Sequence, residues 1–284
     1  MITAGIDMGA RTVKVIFLET LAAPGGGVEQ QRIIGRHMMF PDELDMDAAA
    51  AKAYADGMQA AGLAPEQVAR VVATGVGRKQ VRFAGDDVTE VSSGARGAVF
   101  MCPTARTVID VGAEEGRGIK ANAAGRVIDF AGNEKCAAGA GAFAESMARA
   151  LQLSLADFGA ASLRSDKVIP MNAQCTVFAE SEVVSLIHAT TPREDIAKSV
   201  LDAVASRVCA MVRRVGIEED VILIGGMVNN PGFVRALKDA LGVAQLRLPE
   251  LPEYIGALGA ALIAAENAAE YAAEYAAEYA VESV

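Results

Sequence analysis

Residues 2–7 and 12–18 alternate apolar with polar positions or run apolar and β-branched, which is the signature of strands. The segment Asp7-Met8-Gly9-Ala10-Arg11 between them predicts a tight turn. A Gly/Pro-rich loop follows at 22–28. Residues 44–61 are Ala-rich and end at Gly62, so they predict a helix with a glycine stop. Residues 68–74 predict a buried strand running into Gly75-Val76-Gly77, and 92–100 a helix. The opening pattern then recurs. An apolar strand at 107–111 leads into Asp110-Val111-Gly112-Ala113-Glu114-Glu115-Gly116, and a second strand occupies 117–120. A third spans 126–130 after a turn at Gly125. Strand, Asp-x-Gly turn, strand is thus used twice, which predicts two similar lobes.

Beyond residue 141 the pattern becomes helical: to about 151, then 178–188, then 193–215 ended by Gly216. Residues 221–224 predict a buried strand entering Gly225-Gly226-Met227-Val228-Asn229-Asn230, and Pro231 opens a helix. A last helix begins near 258 and continues through an Ala-Ala-Glu-Tyr repeat, with Glu270, Glu274 and Glu278. Ala and Glu favour helix. Glutamates at i,i+4 without basic partners cost a little, so this stretch is read as a solvated helix, with docking of its Tyr stripe (Tyr271, Tyr275, Tyr279) on a partner as the alternative.

Composition narrows the class. The chain has 284 residues, 52% hydrophobic and 22% charged, without Trp and with net charge −10. No basic face for nucleic acid is expected. Asp7 and Arg11 interrupt the first apolar run, and no stretch reaches membrane-span length, so a cytoplasmic setting is expected. Four widely spaced cysteines, Cys102, Cys136, Cys175 and Cys209, do not suggest disulfides there. Cys102 and Cys209 read as buried and inert.

Cys136 and Cys175 differ, because each precedes a predicted helix start. Cys136 stands in Asn133-Glu134-Lys135-Cys136-Ala137-Ala138-Gly139, and Cys175 in Ala173-Gln174-Cys175-Thr176. Helix N-termini favour anions, a thiolate-held cluster among them. A cubane cluster needs four thiolates, which two chains with two cysteines each would supply. Close packing of small residues is the plainer alternative. The Asp-x-Gly turns admit backbone close to phosphate. Asp7 suits a water of Mg²⁺, Lys14 a phosphate charge, and Thr12 offers a hydroxyl. An unliganded hairpin explains one such turn; two, with Gly225-Gly226 after a buried strand, point to nucleotide. The two histidines, His37 and His188, have no ligand-like spacing, and no serine elbow or Walker-type phosphate loop occurs.

The segments GIDMGARTVK (5–14), ATGVGR (73–78), VIDVGAEEG (108–116), NEKCAAGAGAF (133–143), CTVFAESEV (175–183), LIGGMVNN (223–230) and IGALGAAL (255–262) carry a resemblance. They span nearly the whole chain. It resembles the ATPase family that includes 2-hydroxyacyl-CoA dehydratase activators and the ATPase subunits of ATP-dependent benzoyl-CoA reductases. The resemblance implies an α/β, actin/Hsp70-like fold with two RNase H-like lobes and ATP or ADP, with Mg²⁺, in the cleft. The lobes are expected at 1–104, with the helix from about 258–284 packing back on it, and at 105–257. It implies one 4Fe–4S cluster shared by Cys136 and Cys175 of two subunits, the second being a copy of this chain or a homologous ATPase subunit. By the same comparison Asp7 and Asp110 organise the metal. Gly9, Ala10, Arg11, Thr12, Lys14, Gly112 and Ala113 contact phosphates, and Gly225, Gly226 and Asn229 lie at the adenosine.

The implied role is to drive low-potential electrons, taken from reduced ferredoxin or flavodoxin, into an iron–sulfur enzyme that binds a CoA thioester. One departure bears on the choice within the family. In dehydratase activators the second turn reads Asp-x-Gly-Gly-Gln-Asp; here Ala113 replaces a Gly and Glu114 stands at the water-orienting Gln. Glu114 is a candidate base or a brake on hydrolysis. With Gly116-Arg117-Gly118 and Ala95-Arg96-Gly97, it resembles the benzoyl-CoA reductase ATPase more than the activators. The expectation is therefore a reductase component, with a homodimeric dehydratase activator as the alternative. A cluster-free small-molecule kinase or a chaperone-like ATPase on the same fold stands outside the redox class.

Overall fold

The strand β1 (Ile2–Met8) is buried along most of its length, and it lies at the centre of its sheet. The computed structural model describes residues 1–23, 27–41, 45–132, 140–171 and 176–282. They form two units, Met1–Phe100 with Tyr254–Val284, and Met101–Glu253.

In the first unit β1 pairs antiparallel with β2 (Val13–Ala22), and β2 with β3 (Val28–Met39). The helix α1 (Met46–Ala61) follows. Asp45 caps its N-terminus through Oδ1, and Gly62 closes it in the left-handed conformation. Then β4 (Val68–Thr74) lies parallel to β1, and β5 (Asp86–Asp87) parallel to β4. The sheet order is β3-β2-β1-β4-β5. Next comes α2 (Glu90–Met101).

The two faces of β1 have different tasks. Ala4, Ile6 and Met8 join Val13, Val15 and Phe17 of β2 in a core covered by Ala49, Ala50 and Ala53 of α1. The opposite face carries Thr3 and Gly5, and the chain's last helix lies against it; Thr3 Oγ1 donates to Ala261 O at 2.9 Å. A Cβ on Gly5 would stand 1.9 Å from Ala257 O, so only glycine permits this approach.

The second unit repeats the plan. Strands β6 (Thr107–Val111), β7 (Gly116–Ala121) and β8 (Val127–Gly132) form an antiparallel meander. Helices α3 (Ala140–Ala150), α4 (Leu155–Ser162), α5 (Thr176–His188) and α6 (Arg193–Val215) follow. Then come β9 (Val221–Ile224), parallel to β6, α7 (Pro231–Leu241) and β10 (Leu246–Arg247), parallel to β9. The order β10-β9-β6-β7-β8 is the first sheet's order reversed in writing, with each strand in the matching place. Ile109 and Val111 of β6, with Val221 and Leu223 of β9, share a core with Phe143 and Met147 of α3, Val200 of α6 and Phe233 of α7. The chain then returns to the first unit as α8 (Ile255–Glu282). This doubled arrangement is the α/β, actin/Hsp70-like ATPase fold.

The predicted strands and most helices appear, but β3, α4 and the short edge strands β5 and β10 do not follow from the apolar pattern. Cys209 is buried, as expected, and its thiol donates to Ala240 O at 3.2 Å. Cys102 is only partly buried, its Sγ 3.6 Å from Thr104 Oγ1.

Candidate functional site

Each unit holds one Asp-x-Gly hairpin, and the two hairpins agree residue by residue. In the first, Asp7 sits opposite Lys14 in the β1–β2 register, and their charges meet at 3.2 Å. In the second, Asp110 sits opposite Arg117 in the β6–β7 register, at 3.3 Å. These side chains are 14–18% exposed, low enough for the charges to feel one another and open enough for a ligand to reach them. The loops close alike. Gly9 N–H donates to Thr12 O at 3.1 Å, and Gly112 N–H to Glu115 O at 2.9 Å. Ala10 and Arg11 form one tip, Ala113 and Glu114 the other.

A parallel strand delivers a glycine to each aspartate. Gly75 follows β4 with φ +93°, and a Cβ there would stand 2.3 Å from Met8 O and 2.6 Å from Asp7 Oδ1. Gly225 follows β9 with φ +90°, and a Cβ would stand 2.4 Å from Val111 O and 2.9 Å from Asp110 Oδ1. Both positions need glycine twice over, for the backbone and for the space. Hydrogen bonds fix both turns. Gly77 N–H donates to Met8 O at 2.9 Å and Arg78 donates to Gly75 O at 3.1 Å, while Gly225 N–H donates to Pro252 O at 2.9 Å. In the first unit α8 starts beside the aspartate: a Cβ on Gly256 would lie 3.4 Å from Asp7 Oδ2. A helix N-terminus favours a carboxylate there.

The hairpins differ in charge. Asp7, Arg11 and Lys14 sum to +1, whereas Asp110, Glu114, Glu115 and Arg117 sum to −2. Arg117 also bonds Glu115, so the second cation is shared by two carboxylates. The first turn therefore suits phosphate oxygens and the second a hydrated divalent cation. Among the described residues no group of three His, Cys, Asp or Glu could hold a metal ion by itself. Mg²⁺ does not need one, since it keeps waters and takes substrate phosphates.

Arg117 escaped the sequence reading, although the seven-residue step from Asp110 matches that from Asp7 to Lys14. Gly226 and Asn229 are exposed beside Gly225, and Asn229 Nδ2 donates to Glu253 Oε1 at 2.6 Å. Cys136 and Cys175 lie outside the described residues. The helices that follow them, α3 and α5, pack against each other. At the start of α3, Gly141 and Ala142 N–H donate to Gly112 O at 3.1 Å and Ala113 O at 2.8 Å. Two of the helix's four free N–H groups thus serve the Asp110 turn and are not available to an anion. Ahead of Cys175, Ser165 and Lys167 bond the buried Asp195 of α6 at 2.6 and 2.9 Å. The Ser165 hydroxyl first, then Lys167, holds its carboxyl below the usual range.

Two Asp-x-Gly hairpins with paired glycine turns, on this fold, define a nucleotide-hydrolysing protein of the duplicated-lobe class. Residues 4–264 match the BadF/BadG/BcrA/BcrD ATPase family, and the chain belongs to it. The crystal structure of Acidaminococcus fermentans (R)-2-hydroxyglutaryl-CoA dehydratase component A is 34% identical, with TM-score 0.86, over 95% of this chain and 99% of that one. The Clostridium difficile activator of 2-hydroxyisocaproyl-CoA dehydratase, solved with bound ADPNP, is 32% identical, with TM-score 0.81, over 96% and 98%. The D-type subunit of the Thauera aromatica benzoyl-CoA reductase is 30% identical over 93% of each chain. No helix among the described residues is long and apolar enough to cross a membrane.

Proposed function

We propose that the protein hydrolyses ATP to drive single electrons into an iron–sulfur enzyme acting on a CoA thioester. The observation that carries the nucleotide half is the doubled hairpin, with Asp7–Lys14 and Asp110–Arg117 in the same register. Lys14, Arg11 and the Gly9 turn take the phosphates of ATP. Asp7 and Asp110 hold waters of Mg²⁺, and Gly225, Gly226 and Asn229 border the adenosine. Glu114, at the exposed tip of the acidic turn, is the candidate in this reading to orient or deprotonate the attacking water.

The electron half rests on Cys136 and Cys175. Cys136 lies four residues before the start of α3, within about 14 Å of chain reach, and Cys175 immediately precedes α5. Because those helices pack together, the donor set suits two thiolates of a shared 4Fe–4S cluster. Such a cluster supplies one-electron chemistry. Phe178, Val184 and Ile187 are exposed on α5, an apolar surface fit for a second protomer.

Within this reading, a dehydratase activator is favoured by identities of 32–34% with two activator structures, against 30% with the reductase component. The reductase reading is favoured by Ala113 and Glu114 at the second turn. The test is iron and sulfide content, with electron paramagnetic resonance and native mass, on protein purified without oxygen. About four irons per pair of chains are expected. A homodimer identifies the activator, and co-purification with a different ATPase chain the reductase. Iron-free protein that hydrolyses ATP overturns the electron-transfer reading.

A further inference from the structure

The two glycine turns beside the aspartates share a backbone and differ in one side chain. Arg78 N–H donates to Gly75 O at 3.2 Å, and Val228 N–H to Gly225 O at 3.2 Å. The places correspond, three residues beyond each glycine. Val228 packs on the core of its unit. Arg78 is used differently. Its Nη1 donates to Gly75 O and to Glu90 Oε2 of α2, both at 3.1 Å, and its Nε lies 3.2 Å from Asp87 Oδ1 of β5. Valine makes the same turn in the second unit, so the turn itself does not require arginine.

We propose that Arg78 is a positioning residue for the Mg²⁺–ATP site: through the Gly75 turn it holds the Asp7 carboxylate in place. This deepens the function proposed above and rests on it for Asp7 as a holder of Mg²⁺ waters. The carboxylate has a neighbour on each oxygen. Lys14 Nζ lies 3.2 Å from Oδ2. The Gly75 backbone stands so close to Oδ1 that a Cβ there would be 2.6 Å away. A displaced Gly75 turn would free Oδ1 to rotate. The guanidinium opposes that displacement by tying the Gly75 carbonyl to two carboxylates on other elements, a grip that suits a planar fork of donors. A second tie, between Thr74 Oγ1 and Ser93 Oγ at 2.8 Å, joins the residue before Gly75 to the same helix α2. Arg78, Lys79, Asp87 and Glu90 together carry no net charge. Losing Arg78 would leave them at −1, which attracts Mg²⁺. A weaker Mg²⁺ site in its absence is therefore the mark of geometry and the opposite of a charge effect.

Full-length protein is compared with Arg78→Val, the residue found at the matching place of the second unit, and with Lys79→Ala. Lys79 is the control, because it pairs with the same Asp87 at 2.7 Å from the exposed side. Affinity for a non-hydrolysable ATP analogue is measured by calorimetry in EDTA and across a Mg²⁺ series. In Arg78→Val the Mg²⁺ concentration giving half of the affinity gain should rise about tenfold or more, the scale of losing a group that orients a metal ligand. Affinity in EDTA should not change, and Lys79→Ala should match the native chain. Without nucleotide, amide hydrogen exchange in a peptide covering residues 73–80 should quicken in Arg78→Val, since Gly77 N–H is bonded to Met8 O at 2.9 Å. An unchanged Mg²⁺ midpoint in Arg78→Val overturns the role of Arg78. So does an equal loss of affinity with and without Mg²⁺, the sign of a merely structural residue. Should Arg78→Val not fold, Glu90→Gln, which weakens the grip on the same guanidinium, should raise the midpoint about threefold, the scale of one hydrogen bond. An unchanged midpoint there overturns the proposal as well. Nucleotide binding by the native chain that ignores Mg²⁺ overturns the assignment of Asp7, and with it this role.

Discussion

Replacing Gly225 by alanine should damage the second unit in two separable ways. Gly225 has φ +90° and ψ 173°, a region that is essentially glycine's own and costs an L-residue about 1–3 kcal/mol. The added methyl also meets Val111 O at 2.4 Å and Asp110 Oδ1 at 2.9 Å. Overpacking of that kind costs about 1–3 kcal/mol more, because backbone and carboxylate must both shift. Gly242, which closes α7 in the same unit, isolates the other contribution: its φ is +69° and a methyl there meets nothing. Gly242→Ala should therefore lose only the left-handed penalty, about 1–2 kcal/mol. Restricted unfolded-chain entropy offsets both variants alike. Urea unfolding followed by circular dichroism should place Gly225→Ala below Gly242→Ala by about 1–4 kcal/mol. ATP affinity, measured by calorimetry, should fall in Gly225→Ala alone, since Asp110 moves. Equal destabilisation of the two variants with equal ATP affinity would refute the claim that Gly225 sets the position of Asp110.

Lys14→Ala should lower ATP turnover by about 10²–10³-fold, the scale of losing one charge-stabilising donor, with iron content unchanged; unaltered turnover would remove Lys14 from the phosphate site. Arg117→Ala should reduce turnover too, and a cycle with Glu115→Ala should show non-additivity, because Arg117 bonds both Asp110 and Glu115. Gly259→Ala places a methyl 1.8 Å from Ser93 O, so it should cost at least about 1–3 kcal/mol in the first unit. Asp195 is held below its ordinary pKa by Ser165 and Lys167. Its contribution to stability is thus fully present above the unfolded carboxylate pKa and is lost as pH falls through the lower folded value. Ser165→Ala should flatten that acid-side loss, and native and variant midpoints should converge at the lowest pH.

Much of the fold was legible because largely buried strands, such as residues 2–7 and 221–224, write short, mostly apolar stretches between turn residues, and because Gly62 and Gly216 mark helix ends. What stayed hidden has physical causes. The strand β3 reads Val-Glu-Gln-Gln-Arg-Ile-Ile-Gly-Arg-His-Met-Met, an edge whose side chains are almost all partly or fully exposed, so no apolar period announces it. Edges β5 and β10 are two residues each. The helix α4 carries Gly159, whose missing side chain leaves room for Asn230, the cap of α7. At the site, Asp7, Lys14 and Asp110 were visible as motif letters. Arg117 needed the register, and the bonds of Gly141 and Ala142 needed tertiary structure, because residues 112 and 141 have no local relation.

The return of the chain as α8 sets an order of manufacture. The side of β1 that bears Thr3 and Gly5 is covered by residues near 257 and 261, which leave the ribosome only after the whole of 101–253. At about 5–20 residues per second that interval is about 8–30 s. During it the second unit can complete itself, while Thr3, Gly5 and Val72 wait for their cover. A strand made before the whole of 101–253 is thus sealed only after it, and a nascent chain stalled before residue 254 would present that open sheet face to chaperones and proteases.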